Sequence, residues 1–294
     1  EHNRIALIAS LDTKLQETLY AKHEIESCGG QGLIIDISTK TLVDAGAAVG
    51  PADILARYGM TWEEFGPLDK AQSIETMSNA LTAVMPALYA EGLFDAVISI
   101  GGGQNARMAA AAMKSLPFGV PKIVASSLAC GRRTMEQYVG DKDIMVVHTV
   151  ADISGLNYTT KTVIHNVCHA ALGMLQHQRQ VTPDSRKKIA ATMLGITSKG
   201  VEGALRLLPD GTYEKTCFHA NDRAAPIVTQ HIEAAAGTHT YDSSLAVGDL
   251  LQRGNSSLKS RHQFIHLFLQ TKHGSDCSGI LSNTFHNAKF RVSS

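Results

Sequence analysis

Asp95-Ala-Val-Ile-Ser-Ile-Gly-Gly-Gly-Gln-Asn-Ala-Arg-Met-Ala-Ala-Ala-Ala-Met113 is the stretch that decides the fold. Val97, Ile98 and Ile100 form a short β-branched run, the pattern of a strand buried on both faces of a parallel sheet. Gly101, Gly102 and Gly103 then leave the backbone bare, so the chain can turn sharply and a ligand can approach its N–H groups. Ala106 to Met113 is a strong helix former. The glycines therefore lie between a strand end and a helix N-terminus, where unpaired amides and the helix dipole favour an anion, usually a phosphate. A bare turn is the competing reading. The spacing fits neither Gly-x-Gly-x-x-Gly nor a Walker A loop, so it indicates an anion without naming the ligand.

Towards the N-terminus, Arg4 to Ser10 reads as a buried strand, Leu15 to Ser27 as a helix stopped by Cys28-Gly29-Gly30, and Gln31 to Ser38 as a second strand. This βαβ opening predicts a parallel sheet with a right-handed crossover. Ligands of such sheets gather at the carboxyl ends of the strands, where Asp12-Thr13-Lys14 and Asp36 fall. Asp36 lies about where a Rossmann unit keeps its ribose-binding acid. Asp12-Thr13-Lys14 equally describes a helix N-cap with a solvated lysine. Level with the triple glycine, its hydroxyl and ammonium suit phosphate oxygens or a Mg²⁺-bound nucleotide.

Residues 39 to 69 carry Pro51, Pro67, several glycines and the single tryptophan, Trp62, and read as a long irregular segment of the lid or interface kind. A helix is expected over Lys70 to Glu91 despite Pro86. Pro121 to Ser127 reads as a further strand, placing Ser126 and Ser127 on the same rim. Asp143 to Val150 is a fifth strand, with Ala151-Asp152-Ile153-Ser154-Gly155 at its end. A helix from about Leu156 to Gln178 closes the first domain, residues 1–182, and Thr182-Pro183-Asp184-Ser185 reads as a linker. Lys187 to Ile196 then restarts the pattern, with Thr197-Ser198-Lys199-Gly200 in the place of Asp12-Thr13-Lys14, and residues 217–221 read as its next strand and turn. The expected fold class is α/β: a Rossmann-like parallel sheet followed by a second, smaller and incomplete α/β domain, residues 187–294. From about residue 222 onward the sequence turns Ser-, His- and Thr-rich, with little periodicity apart from Phe264 to Leu269, which raises a reading-frame change or truncation there.

Lys plus Arg and Asp plus Glu number 27 each, so the net charge is about zero and nothing marks a nucleic-acid or membrane surface. The five cysteines are odd in number, dispersed and without a Cys-x-x-Cys pair, as free thiols of a reducing compartment would be. With no apolar run of spanning length and no signal-peptide pattern, a cytoplasmic protein is expected. Glu1 in place of Met points to a trimmed start. His165 and His169 are spaced i, i+4, but no acidic residue accompanies them in a His-Glu-x-x-His pattern, so they read as packing or surface histidines and no metal ligands are assigned. Cys130 reads as a small buried residue rather than a nucleophile, since no histidine base lies near it in sequence. Alanine-rich helix faces suit a homodimer.

With these residues assembled, the chain resembles the ATP-binding family of the tomato mosaic virus resistance protein, which has many bacterial members of unknown function. The matching stretches are Ile5 to Lys14, Ile98 to Ala112, Gly119 to Gly131, Tyr138 to Asn157 and Lys188 to Asn221. The resemblance implies a Rossmann-like subdomain holding ATP with Mg²⁺ and a second α/β subdomain. Carried over by position, the implied nucleotide contacts are Asp12, Thr13, Lys14, Gly101, Gly102, Gly103, Gln104, Asn105, Ser126, Ser127 and Asp152. Ala9-Ser10 stands where the family usually has Gly-Thr, and Gln104-Asn105-Ala106 where its loop is richer in Gly and Ser. Phosphoryl or nucleotidyl transfer is the natural chemistry for an enzyme of this kind. The alternative is a non-enzymatic module in which ATP stiffens a surface that captures another protein. A third, NAD(P)-dependent dehydrogenase, rests on the likeness of Ile98-x-Ile100-Gly-Gly-Gly to the iron-type alcohol dehydrogenases.

Overall fold

The computed structural model describes residues 3–131, 134–177, 186–193, 198–219 and 267–269. The chain divides into two compact units, residues 1–180 and 181–294. In the first, strands β1 (Arg4–Ala9), β2 (Gln31–Asp36), β3 (Ala96–Gly101), β4 (Lys122–Ser126) and β5 (Met145–His148) form one parallel sheet in the order β2-β1-β3-β4-β5. This is the flavodoxin-type doubly wound arrangement, and its order reverses between β1 and β3.

The apolar runs set the sheet because alternate side chains leave on opposite faces. Ile5, Leu7, Ile98 and Ile123 join one cluster, with helices α1 (Leu11–Ser27) and α6 (Tyr158–Gln176). Ala6, Ile8, Val97 and Val124 join the other, with α2 (Pro51–Tyr58), α4 (Lys70–Ala90) and α5 (Gly103–Met113). Both faces are thus covered, as the unbroken hydrophobic character of the strands requires.

Of residues 39 to 69, expected as an irregular segment, 39 to 50 carry no helix or strand, whereas 51 to 69 contain α2 and a short α3 (Trp62–Phe65). Pro51 opens α2 at a position that wants no N–H donor, and Thr61 with Glu64 forms a capping box for α3. Ile54, Leu55 and Phe65 are fully buried, and Trp62 stacks on Phe65 at a centroid separation of 5.3 Å. The segment is therefore part of the core. Asp69 and Gln72 cap α4 in the same manner, and Pro86 lies within that helix. Met135–Val139 makes a single π-helical turn.

In the second unit β6 (Lys187–Met193) leads into α7 (Ser198–Arg206) and on to β7 (Tyr213–His219), which pairs parallel with β6. A short β8 (Leu267–Leu269) pairs antiparallel on the other side of β6, within the stretch read as periodic. The expected linker at 182–185, Thr197, and the atypical tail from 222 on, apart from 267–269, lie outside the described residues.

Candidate functional site

Because the five strands of the first sheet are parallel, the segments after β1, β2, β3, β4 and β5 share one rim, and those after β1 and β3 are neighbours at the reversal of strand order. Hydrogen bonds join several of them. Asp36 Oδ1, at the end of β2, accepts from Leu11 N at 3.0 Å, from Ser38 N at 2.9 Å and from Ser38 Oγ at 2.6 Å. Ser38 Oγ in turn accepts from Asp12 N, and Asp12 Oδ2 accepts from Lys40 N. Ser10 Oγ donates to Asn105 Oδ1 at 3.4 Å, while Asn105 Nδ2 donates to Ser99 Oγ at 2.9 Å. Ser127 Oγ donates to Asp152 Oδ1 at 2.5 Å, linking the β4 and β5 segments. Glu17 of α1 accepts from Gly155 N and ties α1 to the segment after β5.

The two helix N-termini on this rim differ in one respect that decides where an anion fits. Those of α1 are already used: Leu11 N and Asp12 N donate to Asp36 and Ser38, and Thr13 N and Lys14 N donate to Ser10 O. At α5 no side chain caps the helix, and among the described residues the amides of Gly103, Gln104 and Asn105 have no acceptor. Three such donors in the first turn, at the positive end of the dipole, are the standard cradle for a phosphate or carboxylate.

The glycines play separate parts. A Cβ on Gly101 would stand 2.7 Å from Asn105 Nδ2, and one on Gly103 would stand 2.2 Å from Leu128 Cδ1, so both are small for packing. A Cβ on Gly102 would meet nothing within 4 Å. With φ −70° and ψ 173°, Gly102 needs no special backbone freedom either.

The sequence-derived residues thus divide. Gly102, Gly103 and Gln104 offer backbone to the rim; Thr13 is exposed and Lys14 half-buried, at a break in α1 where Lys14 departs from helical geometry (φ −131°, ψ 29°). Lys14 Nζ has no hydrogen-bond or ion-pair partner among the described residues. Ser127 and Asp152 pair at the exposed side, with Asp12 half-buried on the far side. Ser126 and Asn105 are buried and hold the rim together, Ser126 Oγ accepting from Leu128 N. Asp36 is fully buried; burial pushes its carboxyl pKa up, against the bonds from Ser38 and Leu11, and Oδ2 has no partner. In this conformation its contacts are with the Leu11 amide and with the amide and hydroxyl of Ser38.

Sequence reasoning did not single out Ser38, Ser99, Glu17 or Val150. The Asp-x-Ser spacing of Asp36 and Ser38 was the available signal for the first. Val150 has φ 65°, the left-handed region that a β-branched residue avoids, in a tight turn closed by Ala151 N donating to Thr149 O at 2.6 Å. That strained turn sits directly before Asp152. Cys130 is exposed rather than buried, with Sγ 3.7 Å from Ser127 O. No helix among the described residues is long and apolar enough to cross a membrane.

Comparison with known proteins places relatives in bacteria and plants. A protein of Clostridium tetani, named only by its family, is 30% identical over 220 residues, covering 74% of this chain and 54% of that protein. The ToMV susceptible protein tm-1(GCR26) and the ToMV resistance protein Tm-1(GCR237) of Solanum lycopersicum are each 27% identical over 239 residues, covering 74% of this chain and 31% of theirs. The chain spans about half the length of the bacterial relatives it matches. The family model that fits covers residues 3–180, the whole of the five-stranded unit, and is described as the N-terminal domain of an uncharacterised protein family. The chain belongs to that family, UPF0261.

Proposed function

We propose that the rim at the carboxyl ends of β1, β3, β4 and β5 binds the phosphates of a nucleotide, ATP as its Mg²⁺ complex. The observation that carries this reading is the uncapped N-terminus of α5 beside the open space at Gly102, at the switch point of the sheet. Lys14, without a partner, supplies the cation that backbone amides alone lack. Asp152, Ser127 and Asp12 present carboxylate and hydroxyl oxygens, the hard donors that Mg²⁺ takes alongside nucleotide phosphates. ATP is the choice implied by the sequence resemblance.

Calorimetric titration with ATP, with and without Mg²⁺, tests the reading. Micromolar or tighter Mg²⁺-dependent binding, on the order of 8 kcal/mol, is the expected result. Absence of binding to a folded chain overturns it, and NAD(P) is the comparison titration. Lys14→Ala is expected to weaken ATP binding about 10- to 100-fold, the worth of a hydrogen bond to a charged group. Unchanged affinity removes Lys14 from the site. Gly102→Ala separates function from folding more sharply. Its methyl group meets no protein atom and its backbone suits alanine, so stability should stay level or rise by about 0.4–1 kcal/mol while nucleotide affinity falls, because the methyl occupies the ligand's approach. Equal affinity in this variant places the phosphates elsewhere.

A second reading is a non-enzymatic module whose nucleotide-bound surface engages another protein, favoured by the likeness to tomato proteins named for ToMV resistance and susceptibility. Turnover distinguishes the two: phosphate release from bound ATP supports an enzyme, and stable retention supports the module.

A further inference from the structure

α1 and α6 lie side by side in one hydrophobic cluster, with Ala21 and Ile25 of α1 packed among Ile164, Val167, Cys168, Ala171 and Leu172 of α6. Gly30, just past α1, permits this closeness, since a Cβ there would stand 2.6 Å from Leu172 Cδ2. Two pairs of residues spaced i, i+4 therefore face each other across the seam: Glu24 and Cys28 on and directly after α1, His165 and His169 on α6. The acidic partner that sequence order did not supply to the two histidines comes from the other helix.

The geometry points to a divalent metal site of the zinc type, with Glu24, His165 and His169 grouped as ligands and Cys28, beside His169, turning in as the fourth. Glu24 Oε2 lies 2.8 Å from His165 Nδ1 and 3.8 Å from His169 Nε2, and the ligand atoms of these three residues all fall within 4.8 Å of one another. Cys28 Sγ is 3.6 Å from His169 Nε2. Tetrahedral zinc, with bonds of about 2.3 Å to sulfur and about 2.0 Å to nitrogen and oxygen, needs sulfur–nitrogen spacings of about 3.5 Å and nitrogen–oxygen spacings of about 3.3 Å. The Cys28–His169 and Glu24–His169 separations, 3.6 and 3.8 Å, already lie near those values. The His165–Glu24 contact, held at hydrogen-bond length, must open by about half an ångström to admit the ion, and the Cys28 side chain, which lies outside the set of ligand atoms within 4.8 Å of one another, must turn inward.

Tyr20, one turn before Glu24, lies beside the same carboxylate, the place of an outer partner that orients a ligand. Two imidazoles, one carboxylate and one thiolate form a borderline set that suits Zn²⁺ over Mg²⁺ or Ca²⁺. Such an ion joins α1 to α6 across the seam, on one side of the sheet. Cys168, the residue before His169, takes no part: it is buried, its thiol is pushed up to about 12 by burial, and it bonds to Ala21 O.

Zn²⁺ titration of the full chain, with Co²⁺ as a spectroscopic substitute, tests this. One equivalent is expected to bind with a tetrahedral cobalt spectrum and a thiolate-to-cobalt charge-transfer band. Cys28→Ser should abolish that band. His169→Gln, and separately Glu24→Gln, should lower affinity more than about 100-fold, beyond the 10- to 100-fold usual for outer-shell changes, while His23→Gln, exposed on the same helix, should change nothing. Thermal unfolding of each metal-free variant checks that it folds. Wild-type affinity in the His169 and Glu24 variants, no binding at all, or an octahedral cobalt spectrum without the charge-transfer band overturns the proposal.

Discussion

Asp36→Ala is expected to destabilise the protein by about 2–6 kcal/mol, whereas Asp36→Asn leaves it nearly unchanged. The asymmetry follows from a single oxygen. Oδ1 accepts all three hydrogen bonds, from Leu11 N, Ser38 N and Ser38 Oγ, while the buried Oδ2 makes none. Alanine strands two buried amides, each costing about 1–3 kcal/mol. Asparagine keeps an oxygen in the first position and puts its NH₂ where no bond exists. The pH dependence has a definite sign. Desolvation raises the Asp36 carboxyl in the folded state, so between the ordinary aspartate value of about 3.9 and its folded value the native chain holds the extra proton. The stabilising contribution is full below the ordinary value and is lost as pH rises through the folded one. Urea unfolding of wild type and Asp36→Asn, followed as pH rises from below the ordinary aspartate value, should show that slope in the difference. Equal losses for the alanine and asparagine variants sink the single-oxygen account.

Lys122→Met carries the second large effect, about 3 kcal/mol. The Lys122 side chain is fully buried at the start of β4, and its three N–H donors are used on Asp143 Oδ1 and Pro117 O, both at 2.8 Å, and Val120 O at 2.9 Å. Removing one partner of a buried pair costs about 3–5 kcal/mol, and the lower end applies because Asp143 stays 30% exposed and can be rehydrated. Burial lowers the ammonium's affinity for its proton, with Asp143 opposing, so the unfolded chain binds more protons below the ordinary lysine value and stability rises with pH through that interval. Lys122 begins the strand whose other end carries Ser126 on the rim. Its loss should therefore lower the melting temperature without changing nucleotide affinity in the surviving folded protein; a matched loss of affinity would tie the two ends of β4 together.

Much of the first unit was legible because burial on both faces of a parallel sheet leaves continuous apolar runs. Arg4 to Ala9, Gln31 to Asp36 and Ala96 to Gly101 came out within one or two residues, and the α4 helix began and ended where expected. Residues 39 to 50 are irregular as expected, but 51 to 69 were misjudged because prolines and glycines mark helix starts and stops as well as loops; the capping boxes at Thr61 and Asp69 were the discriminating signal. The helix runs from Leu15 as expected, but a further turn, Leu11 to Thr13, precedes it across the break at Lys14, and the cap of that turn is not local. The Ser10 side chain accepts from no helix amide, and Asp36, 25 positions after Leu11, accepts from the Leu11 amide instead.

The sequence by itself determined the alternation of strands and helices, the parallel sheet and the glycine turn between β3 and α5, since each rests on local periodicity and on residues lacking a side chain. Only the tertiary structure decided which helix N-terminus remains open. Asp36 and Ser38 reach it from another strand, so the amides of α1 are satisfied while those of α5 are not. It likewise brought Glu24 and Cys28 against His165 and His169, 141 positions apart, because two helices on one sheet face must pack side by side whatever their separation along the chain.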